Sequence, residues 1–320
     1  MKLLIALLSL TILASATISS AATAGPLQVK NLYPVFLHAY QPVMEKAALE
    51  NSMSYSLSHS STYTVQASGR WLISLDIEAT ELNFRYKRII LDMFEIGIDL
   101  PVLMLGGGIF DGFLESYHDS FGFPDYGRKN RPHNAFLYEI RHDGKLIIRG
   151  QSGIGLGDIG LSLKKELSKS ERFTLSIKGG IELPTGNADD GFGNGSLDAA
   201  ASMLADLKLS DKITIYLNAG AVFPGDLKAS QTLNLDNFIF AGAGIEGDAG
   251  KGFSLLLQVL GQSAIFPDTG LKAVDRNSVM IAFGGRYSKG QRTFDLSLTE
   301  DLSEAGAPDF IINLTYKVKL

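Results

Sequence analysis

Acidic and imidazole side chains one helical turn apart are the most direct offer of chemistry in this sequence. In the stretch GGGIFDGFLESYHDSFGFPDYGRKNRP, residues 106–132, Asp111, Glu115 and His118 follow one another at intervals of four and three. On a helix that spacing places all three along one flank, where they could share a cation or pair with neighbouring bases. Phe110, Phe113, Leu114, Tyr117 and Phe121 occupy the adjoining face. Arg128 and Arg131 follow closely and supply basic partners. The stretch therefore reads as an aromatic-faced helix with an ion-paired or solvated polar flank, and no metal ligand set is assigned to it.

A second group of ionisable residues lies at alternating positions within apolar runs. It comprises Asp76, Glu78, Asp158, Lys164, Lys178, Glu182, Asp198, Asp206 and Arg286. If the apolar phase faces lipid, these charges face the opposite way, because a basic residue at the bilayer midplane costs about 2–4 kcal/mol. Both signs are present. That suits charge ladders bracing a narrow interior as well as it suits a pore, and it argues against a strongly one-sign filter.

Local catalytic signatures are absent. None of the histidines at 38, 59, 118, 133 and 142 lies in an HExxH pattern, and no serine lies in GxSxG. Gly155, Gly157 and Gly160 match GxGxxG spacing, but the motif runs directly into the alternating LSLKKEL and lacks the strand-to-helix setting that a dinucleotide site needs. No cofactor is expected.

The elements that hold these residues are strands. The chain ends in FIINLTYKVKL, 310–320, with Phe310, Ile312, Leu314, Tyr316, Val318 and Leu320 in one phase and Asn313, Thr315, Lys317 and Lys319 in the other. Similar runs of about ten residues, the length a tilted membrane strand requires, recur back through the chain. Strands are expected near 51–60, 71–87, 90–104, 134–141, 145–151, 156–167, 173–183, 197–208, 213–223, 236–246, 253–263, 277–287, 292–300 and 310–320. Short linkers such as 209–212, 247–252 and 288–291 alternate with long ones at 105–133, 184–196, 224–235, 264–276 and 301–309. Outer-membrane barrels show this asymmetry, with periplasmic turns on one rim and external loops on the other.

The expected fold is thus an all-β transmembrane antiparallel barrel of about fourteen strands, with twelve or sixteen as alternatives and one helix in the external loop 105–133. Two places fit poorly. The linker 152–155 is too short for an external loop. The segment 71–87 is too long, and its apolar phase flips between Ala79 and Leu82, which suggests a bulge or two strands.

Composition agrees with a thinly spread apolar surface. The 320 residues include 34 glycines and no cysteine, 45% are hydrophobic, and the formal net charge is −5. There is no basic stripe for nucleic acid. Lys2, the apolar run after it and Ala22-Thr23-Ala24 read as a signal peptide over 1–24. A periplasmic segment is expected over 25–49 and the barrel over 50–320, in the outer membrane of a Gram-negative bacterium. The partners expected are outer-membrane lipids, the barrel assembly machinery and a small-molecule solute.

GPLQVKNLYPVFL, the 106–128 motif, GLGDIGLSLK and the LPTGN…GFGNGSLD loop together resemble a bacterial outer-membrane barrel family of unknown function. The pairing of GLGD with LPTG is also similar to outer-membrane proteins of the phenol meta-pathway degradation group. The resemblance covers nearly the whole mature chain and implies a barrel. The phenol link implies small aromatic or apolar solutes. The resulting expectation is a non-enzymatic channel for passive passage of small molecules, narrowed by the 105–133 loop, in which Phe110, Asp111, Phe113, Glu115, Tyr117, His118, Phe121, Arg128 and Arg131 are the candidate constriction or plug. An outer-membrane enzyme acting on lipid or lipopolysaccharide, and a closed structural or docking barrel, are the alternatives.

Overall fold

Alternation gives each run one oily and one polar side, and the chain satisfies both by closing into a ring. The structure, a computed structural model, describes residues 24–108, 110, 112, 132–303 and 305–320. The wall consists of β1 (Ser52–Ala67), β2 (Trp71–Ile90), β3 (Phe94–Gly106), β4 (Ile159–Lys169), β5 (Phe173–Leu183), β6 (Asp198–Lys208), β7 (Ile213–Phe223), β8 (Phe238–Gly250), β9 (Phe253–Gln262), β10 (Ser278–Lys289), β11 (Arg292–Asp301) and β12 (Phe310–Lys319). Each strand pairs antiparallel with its neighbours in sequence. The last pairs with the first, from Ser52↔Lys319 to Ser61↔Phe310, so the ring has no free edge.

The wall has twelve strands, not fourteen. The runs expected at 134–141 and 145–151 do form strands, Leu137–His142 and Lys145–Arg149, but as a hairpin outside the ring. That hairpin adds to the far half of β2, from Trp71↔His142 to Asp76↔Leu137. β3 occupies the same edge of β2 only from Glu78↔Gly106 onward. Both hairpin strands are too short to cross a bilayer. The misfit at 152–155 disappears with them, since Gly153–Leu156 pairs with the end of β3 and leads directly into β4.

β2 also settles the flipped phase. Its register with β1 is unbroken from Ser52↔Lys87 to Ala67↔Leu72, so it contains neither a bulge nor a break. The two faces exchange character instead. Ile73, Leu75, Ile77 and Ala79 point to the same side as Glu81, Asn83, Arg85 and Lys87, and all eight are buried. The opposite side carries Asp76, Glu78 and Thr80, then Leu82, Phe84 and Tyr86. The strand rises out of the lipid belt. Beyond that belt its outer face meets polar surroundings, and its inner face packs on an apolar core.

The belt is visible on every strand. Leu57, Leu82, Ile96, Leu163, Ile177, Met203, Leu217, Ile245, Leu257, Phe283, Leu296 and Leu314 all project outward and exposed. Near the rim with the tight turns, aromatic residues stand directly opposite one another across six adjacent strands, in the order Phe253, Tyr287, Phe294, Tyr316, Tyr55 and Phe84. The rings of Phe253 and Tyr287, Phe294 and Tyr316, and Tyr55 and Phe84 lie 4.8, 4.7 and 5.1 Å apart. Such a row is the girdle that marks a membrane interface.

Candidate functional site

The interior of the ring is occupied by the chain's own N-terminal segment. Residues 25–49, expected to lie outside the barrel on the periplasmic side, run inside it instead. At about 3.3 Å per residue, residues 24–50 reach roughly 90 Å when extended, enough to cross the barrel and return. Their contacts trace that path. At the tight-turn rim the Ala24 and Gly25 carbonyls accept from Lys317 Nζ (3.0 Å) and Arg286 Nη1 (2.7 Å). Midway, Leu27 N donates to Gln258 Oε1 at 3.1 Å. At the long-loop end, Asn31 Nδ2 donates to Gly306 O at 2.7 Å.

The segment turns in a 3-10 helix, Pro34–His38, with proline at its start, where φ is already fixed near the helical value. On the way back Tyr40 N donates to Asp198 Oδ2 (2.7 Å), Glu45 N to Asn218 Oδ1 (2.8 Å), Ala47 N to Asp206 Oδ1 (2.8 Å) and Glu50 N to Glu95 Oε2 (2.7 Å). Side chains of the wall thus satisfy buried backbone groups that a sheet ladder would otherwise satisfy.

Two kinds of packing hold the segment. At the turn, Tyr33, Val35, Phe36 and Leu37 join Trp71, Ile73, Leu75, Ile140, Phe238 and Phe266 in one apolar core. Here His38 is fully buried, with Nδ1 2.6 Å from Gly193 O and Nε2 2.5 Å from the Tyr138 hydroxyl. Burial pushes its pKa down to about 4, opposed in part by the Gly193 carbonyl. Nearer the other rim the wall makes room with glycines. A Cβ on Gly180 would stand 2.7 Å from the Tyr40 hydroxyl, and one on Gly242 would stand 2.7 Å from the Met44 sulfur. A cavity left beside Tyr40, Pro42 and Asn218 holds about 10 Å³, room for at most one water.

Below that core the contacts are ionic. Glu45 lies against Lys178 at 2.5 Å, against Lys87, and 4.0 Å from Arg85. Glu50 meets Lys317 and Lys46, both at 2.6 Å. Lys30 reaches Glu81 at 3.0 Å. Within the wall, Lys164 pairs with Glu95 at 2.9 Å and Arg85 with Asp99 at 2.6 Å, while Arg286 bridges Asp295 at 2.7 Å and Glu246 at 3.0 Å.

Several charges expected from alternation face this interior: Lys164, Lys178, Glu182, Asp198, Asp206 and Arg286, each opposite another inward residue in the register. Asp158 lies at the long-loop end and accepts from Gly186 N (2.8 Å) and Asn194 N (3.2 Å), which shapes that loop. Asp76 and Glu78 require correction. They share the outward side of β2 with Leu82, beyond the belt, and Glu78 lies 3.1 Å from His59 on the outward side of β1.

Phe110 also points away from the interior. Its ring lies 5.0 Å from His59 and 6.0 Å from Phe310, both on the outward side. The other constriction candidates, Asp111, Phe113, Glu115, Tyr117, His118, Phe121, Arg128 and Arg131, lie outside the described residues, as does the helix expected there. Among the described residues there is no group of three or more side chains placed to hold a metal. Sequence reasoning missed Glu45, Glu50, Arg85, Lys87 and Glu95. For the last three the phase of β2 and β3 carried the signal.

A model of the family described as a protein of unknown function, DUF3187, matches residues 2–320. The chain belongs to the DUF3187 family. No curated protein matches it significantly. Among solved structures, the COG4313 outer-membrane channel from Pseudomonas putida F1 superimposes with a TM-score of 0.58 at 17% identity, covering 85% of this chain and 96% of that one. The NanC porin gives 0.49 at 7% identity, with 84% and 100% covered, and the CymD monoaromatic hydrocarbon channel gives 0.41 at 11%, with 86% and 90% covered. The first of these likenesses shows the barrel fold. With its closed wall and lipid-facing belt, this DUF3187 member is a β-barrel of the Gram-negative outer membrane.

Proposed function

We propose that the protein is an outer-membrane channel for small solutes whose pore is closed by its own residues 25–50. One observation carries this reading. The ring is hydrogen-bonded without help from the segment, and among the described residues every hydrogen bond between segment and wall involves a side chain, so the segment can leave without breaking a wall ladder. The fold shared with an outer-membrane channel supports it. In this reading the tight-turn rim faces the periplasm, and the 105–133 loop contributes to the entrance at the other end. The path uncovered by withdrawal is apolar near Phe238 and Phe266 and charged near Lys87 and Lys178. That suits a small solute with an aromatic or apolar body.

A reversible tether tests this. A Cβ on Gly242 would lie 3.0 Å from Met44 Cγ, which keeps the two Cβ atoms within about 4.5 Å, inside disulfide range. The chain has no cysteine of its own. Oxidised M44C/G242C in a planar bilayer is expected to be silent, and reduction is expected to restore the openings of the parent chain. Equal conductance in the two redox states would refute a gating role for the segment.

A further inference from the structure

Glu45 is an unusual residue to bury. It is 4% exposed, it belongs to the segment that withdraws in the proposed gate, and the wall offers it cations from three different strands. Lys87 and Arg85 reach it from β2 and Lys178 from β5, while Lys164 of β4 stands next to this group, paired with Glu95. Lys164 Nζ also donates to the Lys46 carbonyl at 3.2 Å. Two wall acids touch these cations: Asp99, held by Arg85, and Glu95, held by Lys164 and 3.7 Å from Lys87. A third, Asp206, accepts from the Ala47 and Ala48 amides beside Lys164. Four fixed cations against three fixed acids still leave the wall with a surplus of positive charge. The Glu45 carboxylate is what reduces it.

Such a surplus is expensive to bury unless an anion fills it. A wall that merely needed bracing could carry all the acids its cations require, as it does at Arg286, where both carboxylate partners, Asp295 and Glu246, are wall residues. Instead the neutralising carboxylate is on the segment that can leave. Asn218 fixes its position by bonding both the Glu45 amide (2.8 Å) and the Glu45 carbonyl (2.9 Å), so the carboxylate is presented to the cations as a ligand would be.

We infer that Arg85, Lys87, Lys164 and Lys178 form a carboxylate-binding site of the channel, and that Glu45 occupies it as an internal stand-in for the carboxylate of a small solute. This deepens the channel reading and rests on it for the meaning of the site, though not for its existence. Solute and segment compete for the same cations. An anionic solute entering from the tight-turn rim therefore favours the withdrawn segment, by the difference in its affinity for the two states.

The test is chemical rescue in the folded, full-length mature chain. E45A removes the carboxylate and leaves space, so acetate is the probe. Unfolding temperature in detergent micelles is read in sodium acetate and in sodium chloride at equal ionic strength. E45A is expected to be less stable than the parent in chloride. It should regain stability in acetate along a saturable curve, as linkage requires of a ligand bound only by the folded state. E45Q keeps the volume and blocks the space, and should show no acetate response, as should the parent.

If E45A fails to fold in chloride, its refolding yield in acetate against chloride reads the same rescue. An E45A that responds equally to both salts, or an acetate response shared by E45Q, overturns the site. No ion current enters these readouts. A silent bilayer with intact acetate rescue would sink the channel and spare the site, and conduction without rescue would do the reverse.

Discussion

Acidification should loosen the turn of the lumen segment through His38. In its buried setting the neutral ring donates from Nδ1 to Gly193 O and accepts at Nε2 from the Tyr138 hydroxyl, whose proton is shared with Pro34 O at 3.0 Å. Burial holds the pKa near 4, against 6.5 for a free histidine. The docked form therefore binds fewer protons than the undocked form between these values. Its advantage is complete above pH 6.5 and is lost as the pH falls towards 4.

A tenfold difference in proton affinity between the two forms is worth about 1.4 kcal/mol, so docking weakens by roughly 2 kcal/mol at pH 5 and about 3 kcal/mol in the acid limit. The first figure is about a thirtyfold change in the docking constant. Hydrogen exchange at the Leu27 and Glu45 amides, both bonded to uncharged side-chain amides of the wall, reads it directly once intrinsic rates are corrected. Protection should fall between pH 7 and 5 in the parent and much less in H38Q, which cannot charge. Equal loss of protection in parent and H38Q would refute the assignment to His38, and so would no loss in either.

Two other substitutions probe the wall. R286L removes the bidentate partner of Asp295 and the partner of Glu246. Stranding these carboxylates should cost about 3–5 kcal/mol in denaturant unfolding, and R286L/D295L should recover part of that. Leu257 faces lipid; L257R should destabilise the barrel by about 2–4 kcal/mol, while T80R, on the same outward face but beyond the belt, should cost far less in the same titration.

Much of the wall was legible because alternation is a local signal. The last strand reads correctly from its own residues: Leu314 and Tyr316 outward, Asn313 and Thr315 inward, against Leu57 and Ser58 of β1. The same signal misleads at 134–151, since a strand alternates in the same way whether it pairs within the bilayer or above it. Only its short length and the cramped 152–155 link betray it. In β2 the exchanged phase is a boundary marker, and it looks like a defect until the level of the membrane is known. The lumen segment was illegible. Leu27, Tyr33, Phe36 and Met44 follow no period, because their burial depends on side chains from distant strands. Glu45 acquires its meaning only when Lys87 and Lys178, far apart in sequence, meet around it.

The path of residues 24–50 has a topological consequence. Both ends of the segment lie at the same rim, Gly25 beside Arg286 and Glu50 beside Lys317, and the turn at Pro34–His38 lies at the other. It is a loop pushed into a tube, not a thread drawn through one. Pulling on it ties no knot, and no free end has to find its way past the ring. The last strand can therefore join the first before the loop enters or afterwards, and the gate proposed above would not require the closed ring to open.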